Sequence, residues 1–124
     1  MDRLLYAGGA LAGFLRVAFG AFAAHALRAR LAPDMLAVFE TGARYQMYHA
    51  LALFVAAWGW SRWQTRAFSA AGLLFGIGMV LFCGSLYLLA TTGLRAFGVI
   101  TPMGGVAFLG GWLCLAAGVL RART

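Results

Sequence analysis

The chemically richest part of the sequence is residues 39–53, FETGARYQMYHALAL. It concentrates polar and ionisable side chains in an otherwise apolar chain: Glu40, Thr41, Arg44, Tyr45, Gln46, Tyr48 and His49. At about 100° per helical residue, all of them except Gln46 fall on one half of a helix. Glu40 precedes Arg44 by one turn, which allows an ion pair within the helix. Such a surface can bind an ion or a ligand, or hold two helices together.

Arg16 lies in the middle of the first apolar run. An arginine at membrane depth costs about 2.5–3.5 kcal/mol, so it should face other helices, extend to the surface or pair with an acid. Counted from their helix ends, Arg16 and Glu40 lie at similar depths. We therefore predict a network of Arg16, Glu40 and Arg44, extended through hydrogen bonds by Tyr45, Tyr48 and His49. The alternative is that Glu40 and Arg44 are wet at the interface and Arg16 extends to the surface.

The other reactive side chains do not form a recognisable catalytic set. His25 and His49 could ligate haem or a metal, but no second histidine pair or Cys/His cluster completes such a site, and no cofactor is predicted. Ser85 and Tyr87 form a small polar patch that is more typical of helix packing than of catalysis. No nucleophile stands beside a base at a recognisable spacing, so we do not predict an enzyme.

The elements that position these residues must lie in a membrane. Of 124 residues, 64% are hydrophobic and only 10% are charged, which is far from the composition of a soluble domain. The net charge of +7 comes from arginines dispersed between apolar runs. Because they form no basic stripe, they indicate membrane-flanking charge and make nucleic acid an unlikely partner. The lipid bilayer is the predicted partner.

Four apolar runs predict helices at residues 4–25, 34–60, 67–90 and 101–120, in a single membrane domain covering residues 1–124. The predicted fold is an all-α, four-helix polytopic transmembrane bundle. The first run resembles a signal peptide, but it can span a bilayer and three more runs follow, so we predict that it is retained. Gly104, Gly111 and Gly118 are spaced seven residues apart, which places them nearly on one helix face.

Four spans would place both termini on the same side of the membrane. That side would carry five arginines and the other side three or four: Arg3, Arg62, Arg66, Arg121 and Arg123 against Arg28, Arg30, Arg95 and, if it is counted, Arg44. The small excess favours cytoplasmic termini.

Four motifs, in order, resemble those of one family: GAFAAHAL at residues 20–27, the stretch at 39–53, GSLY at 84–87, and TPMGG followed by GW at 101–105 and 111–112. The whole chain resembles the domain-of-unknown-function family 423. The resemblance implies a small four-helix protein of the bacterial inner membrane. It also places nine residues in family motif positions: His25, Tyr45, Gln46, Tyr48, His49, Ser85, Tyr87, Pro102 and Gly104. Ala23 departs from the family pattern, where glycine is expected.

The resemblance implies no reaction, so function is predicted from the residues. We predict a non-enzymatic accessory or structural component that associates with itself or with a larger membrane complex through small-residue helix faces. One alternative is a small transporter or channel with a polar path at Arg16, Glu40, Arg44 and His49. Another is a protein that binds a lipid or quinone between helices, with polar contacts from Tyr48 and His49.

Overall fold

The computed structural model describes residues 1–123, and for Phe22 and Ala24 only the backbone. Thr124, the last residue of the predicted domain, lies outside the described residues. The helical segments are α1 (Asp2–Ala18), a π turn (Phe19–Ala23), α2 (Ala24–Arg28), α3 (Pro33–Trp63), α4 (Arg66–Gly78), a second π turn (Met79–Cys83), α5 (Gly84–Thr92), a 3-10 turn (Arg95–Val99) and α6 (Thr101–Arg121). The prediction of an all-helical fold is confirmed, and the described chain contains no strand.

Among the described residues, three helical stretches are long and apolar enough to cross a membrane: Asp2–Ala21, Arg66–Thr92 and Arg95–Arg121. The predicted second span, at residues 34–60, is not among them. It corresponds to α3, whose more polar composition lowers its mean hydropathy.

The helix ends follow local backbone rules, with one difference from the predictions. Ala32 is extended, as expected before a proline, and Pro33 opens α3. Thr101 is the first residue of α6, and the preceding Ile100 makes no side-chain cap hydrogen bond. The predicted loop at residues 91–100 is partly helical: α5 continues to Thr92, Gly93 closes it with φ of 71°, and the 3-10 turn follows.

α3 is the central helix of the bundle. It packs against α1 on one side and against α4 and α5 on the other, while α6 packs along α4. α1 approaches α3 closely at Gly9, where an added Cβ would lie 2.9 Å from the carbonyl oxygen of Ala50. α1 and α4 make their own close contact where Leu5 packs on Gly72.

A row of glycines on α6 faces a row of phenylalanines. Gly104, Gly111 and Gly118 are all buried on one face, as their spacing predicts. A Cβ at each of the three would collide with or crowd a phenylalanine on the antiparallel helix, in the order Phe82, Phe75 and Phe68. Both rows repeat every seven residues, so the Phe75 and Phe68 rings fill the space beside Gly111 and Gly118, while the backbone of Phe82 lies against Gly104. This interlocking fixes the register of α6 on α4.

Candidate functional site

The polar stretch of α3 is divided between two faces of the helix. Gln46 and His49 are buried, at 6% and 3% exposure, while Glu40, Arg44 and Tyr48 are exposed. Tyr45 is exposed at its edge but its ring lies 4.8 Å from that of Phe82. The inward face is therefore the one with Gln46, Ala43 and Ala50, rather than the one with Glu40 and Arg44.

Gln46 connects three helices through its side-chain amide. Its Nε2 donates to the carbonyl oxygen of Ala12 in α1 at 2.8 Å. Its Oε1 accepts a hydrogen bond of 2.6 Å from the hydroxyl of Tyr87 in α5. The Tyr87 ring in turn packs on Phe19 and Phe39, with ring centroids 5.3 and 4.8 Å apart. Gln46 therefore holds the point where α1, α3 and α5 meet.

His49 connects α3 to α6. The Trp112 indole N–H donates to His49 Nε2 at 3.2 Å, so the ring proton is on Nδ1, which donates to the carbonyl oxygen of Tyr45 at 2.7 Å. The imidazole stacks on the Phe108 ring, with centroids 3.5 Å apart and an interplanar angle of 8°. Both nitrogens of this neutral ring are occupied, so His49 has no free atom for a haem, a metal or a substrate.

Ser85 joins α5 to the start of α6. Its hydroxyl donates to the carbonyl oxygen of Phe82 at 2.9 Å, and its oxygen lies 2.6 Å from that of Thr101, whose hydroxyl is then the donor. The predicted interpretation of Ser85 and Tyr87 as helix-packing groups agrees with these contacts.

The predicted network of Arg16, Glu40 and Arg44 is not formed. Within residues 1–123, the ion pair present joins the Met1 amino group to Asp2 at 3.7 Å. Glu40 and Arg44 are on the outer face of α3, and the Arg16 guanidinium extends along its own helix over Gly20. Arg16 Nε is buried without a hydrogen-bond partner in the described chain. The depth argument was insufficient because it did not establish which face of α3 points inward.

The two histidines, His25 and His49, lie in different environments. His25 is exposed on α2, while His49 is enclosed by aromatic rings. Among the described residues, no three His, Cys, Asp or Glu side chains come together in a metal-sized group.

A lateral groove of about 1140 Å³ separates α1 from α4. Its walls are almost entirely apolar and include Leu4, Leu53, Leu73, Ile77 and Val80. Leu73 and Val80 are 65% and 73% exposed, so the groove opens sideways, toward the lipid in a membrane. Met1, Arg66 and Ser69 line one end.

A second cavity of about 310 Å³ continues this groove, because Gly76 and Val80 line both. Gln46 and Tyr87 contribute to its wall, together with Phe19, Met79 and Cys83. Phe19 and Met79 are the first residues of the two π turns. π turns occur frequently at functional sites. Here they border the inner end of the groove.

None of the four residues predicted to line a transport path borders either cavity. Arg16, Glu40, Arg44 and His49 are absent from both walls, as is Tyr48. The structure therefore does not join these side chains into one polar passage through the two cavities. The open space lies between α1 and α4, and it is apolar.

Comparison with known proteins places the chain in a family. Residues 19–105 match the family described as Protein of unknown function (DUF423). The chain belongs to the DUF423 family.

Its relatives in this family include membrane proteins from several bacteria. UPF0382 membrane protein YwdK of Bacillus subtilis (strain 168) is 41% identical over 114 residues, covering 91% of this chain and 93% of the relative. UPF0382 inner membrane protein YgdD of Escherichia coli (strain K12) is 37% identical over 122 residues, covering 98% and 93%. No solved structure matches the chain. The predicted family and the membrane character are confirmed.

The DUF423 motif positions include the main contacts between helices. Gln46, His49, Ser85 and Gly104 are buried, and each touches another helix. His25 and Tyr48 are exposed. In this DUF423 protein, most of the polar motif residues therefore serve to join helices.

Three partners of these residues were not predicted from the sequence: Phe108, Trp112 and Thr101. Trp112 and Thr101 belong to motifs that were noted, but nothing in a linear pattern pairs them with His49 or Ser85. The row of Phe68, Phe75 and Phe82 was recognisable, since it has the same seven-residue spacing as the glycines opposite it.

The Gln46–Tyr87 hydrogen bond is expected to be measurable as a coupling energy. Gln46→Leu and Tyr87→Phe should each lower the unfolding free energy by about 1 kcal/mol, because buried hydrogen bonds in membrane proteins contribute this order of stability. The double variant should lose less than the sum of the singles. Unfolding in mixed micelles, followed by tryptophan fluorescence, provides the measurement.

Tyr48→Phe is the matched control, because the Tyr48 side chain is half exposed and a single hydroxyl is removed. It should leave stability unchanged. Strictly additive effects of Gln46→Leu and Tyr87→Phe would show that the two side chains are not coupled.

Proposed function

We propose that this protein is a non-enzymatic accessory component of the membrane, with four spans, that binds the hydrocarbon chain of a membrane lipid in the groove between α1 and α4. The observation that carries the proposal is the groove itself, an apolar space of about 1140 Å³ open toward the bilayer. Association with a second copy or with a larger membrane complex is proposed from the sequence.

The length of α3 supports a fourth span. Its 31 residues extend about 46 Å at the usual helical rise, which is longer than the ~30 Å thickness of the hydrocarbon core. It lies between helices that are apolar enough to span. Its buried polar groups, Gln46 and His49, are hydrogen-bonded inside the bundle, so they lower its hydropathy without facing lipid. Four spans would place both termini on one side, and the arginine distribution favours the cytoplasm.

The chemistry of the groove favours hydrocarbon over a polar solute. Its volume is slightly larger than that of most ligand pockets, but its lining offers almost no hydrogen-bonding groups. Its length suits a chain: from Arg66 to Val80 the helix rises about 21 Å, more than the ~15 Å of one leaflet. A lipid chain would fill this space without leaving polar groups unpaired.

Filling the groove should prevent binding. A Cβ at Gly76 would meet nothing within 4 Å, and Gly76 lies where the two cavities join. We expect Gly76→Leu to lower lipid photo-crosslinking in the groove about tenfold, the change that corresponds to 1.4 kcal/mol of lost binding. The probe is phosphatidylcholine with a photoreactive acyl chain, in nanodiscs, and crosslinked peptides are identified by mass spectrometry.

Gly13→Leu is the matched control. A Cβ at Gly13 also meets nothing within 4 Å, yet Gly13 does not line the groove. Both variants add the same side chain to an open helical glycine, so a general effect on the helix is common to both. Equal crosslinking of the α4 peptides in Gly76→Leu, Gly13→Leu and the unmodified protein would overturn the proposal.

A further inference from the structure

We infer that the Arg66 end of the groove selects an anionic phospholipid, with the phosphate at Arg66 and the acyl chain running toward Val80. The inference rests on the proposed function and adds the class of head group. Met1, Arg66 and Ser69 form the wall at this end, whereas the remainder is apolar. A groove with one cationic end and a long apolar body matches an anionic amphiphile.

Arg66 is not neutralised by any acidic side chain of residues 1–123. It is exposed at the first position of α4, and within residues 1–123 no carboxylate lies within ion-pair distance of it. The acid at this end is Asp2, which already contacts the Met1 amino group and accepts hydrogen bonds from the Arg3 amide and the Ser61 hydroxyl. The Arg66 cation is therefore available to an external anion.

The whole end of the bundle around Arg66 is positively charged. Gly118 of α6 packs on Phe68, so the Arg121 end of α6 lies near the start of α4. Asp2 contacts Ser61, so the start of α1 lies near the end of α3. Within residues 1–123, this end therefore carries five arginines and the amino group but one acidic side chain: Arg3, Arg62, Arg66, Arg121 and Arg123 against Asp2.

The local backbone adds to this preference. α4 begins at Arg66 without a side-chain cap, and the Thr65 hydroxyl instead donates a hydrogen bond to the carbonyl oxygen of Trp63. An uncapped helix N-terminus carries partial positive charge and favours a phosphate oxygen. A zwitterionic head group would bring its own ammonium among these arginines, so an anionic head group is the better match.

The test compares two photoreactive lipids with the same acyl chain, phosphatidylglycerol and phosphatidylcholine, in nanodiscs of otherwise neutral lipid. We expect phosphatidylglycerol to crosslink to groove peptides more strongly. Arg66→Gln should lower the phosphatidylglycerol crosslinking yield about fivefold. This factor corresponds to roughly 1 kcal/mol per arginine at an anionic surface. The phosphatidylcholine yield should stay unchanged.

Arg62→Gln is the control. Arg62 is exposed at the same end, but its guanidinium lies 6.0 Å from the Trp63 ring and it does not line the groove. Equal losses in Arg62→Gln and Arg66→Gln would indicate general surface attraction and overturn the inference.

Equal crosslinking of the two lipids in the unmodified protein, with both lost in Gly76→Leu, would reject the head-group preference and leave the proposed function standing. Crosslinking of both lipids that is insensitive to Gly76→Leu would reject the proposed function instead.

Discussion

Gly104→Ala is expected to lower the unfolding free energy by about 2 kcal/mol, although it adds only one methyl group. The added Cβ would lie 2.7 Å from Cβ and 2.8 Å from Cα of Phe82, closer still to its backbone nitrogen, in the second π turn. A backbone atom cannot rotate away as a side chain can, so α6 must shift along the whole row of phenylalanines. The strain exceeds the gain of about 1 kcal/mol that alanine brings over glycine in a helix.

Gly105→Ala isolates the steric effect from this helix propensity. At Gly105 the added Cβ would lie 3.9 Å from the Phe82 ring, an ordinary contact. This variant should be as stable as the unmodified protein or more stable by up to about 1 kcal/mol. Denaturant titration of both variants in the same micelles measures the difference. If the two alanines have the same effect, Gly104 does not pack directly on the Phe82 backbone in the second π turn.

This contact shows what could be predicted from the sequence and what could not. The seven-residue spacing of Gly104, Gly111 and Gly118 correctly predicts a shared buried face, because spacing along one helix determines direction around its axis. It does not determine which helix covers that face. The pairing with Phe68, Phe75 and Phe82 depends on the antiparallel packing of α6 on α4, which is a tertiary property.

The candidate site illustrates the same limit on α3. Charge and depth suggested that Glu40 and Arg44 point inward toward Arg16. The row of small residues on the opposite face decides the orientation instead, since Gly42, Ala43, Ala50 and Ala57 allow neighbouring helices to approach closely. Gln46 lies in that row, so its burial could have been predicted from the pattern of small residues.

The groove could not be predicted from the sequence. It exists because α1 and α4 both pack on α3 and touch each other at Leu5 and Gly72, leaving apolar surface uncovered beside that contact. Each wall alone has the composition of a helix facing lipid. The groove forms only because two helices that are far apart in the sequence lie side by side with space between them.

His49→Ala is expected to have a larger effect than Gly104→Ala and to lower the unfolding free energy by about 3 kcal/mol. It leaves the Trp112 N–H without its acceptor and opens a cavity against the Phe108 ring, on which the imidazole stacks at 3.5 Å. His49→Phe fills the volume of the imidazole but makes neither hydrogen bond, so it should lose about 1 kcal/mol. His25→Ala, at an exposed position, should stay within about 0.5 kcal/mol of the unmodified protein. Unfolding in micelles, read from tryptophan fluorescence, ranks the three variants. A loss for His49→Ala as small as that for His25→Ala would show that hydrogen bonding and packing at His49 do not join α3 to α6.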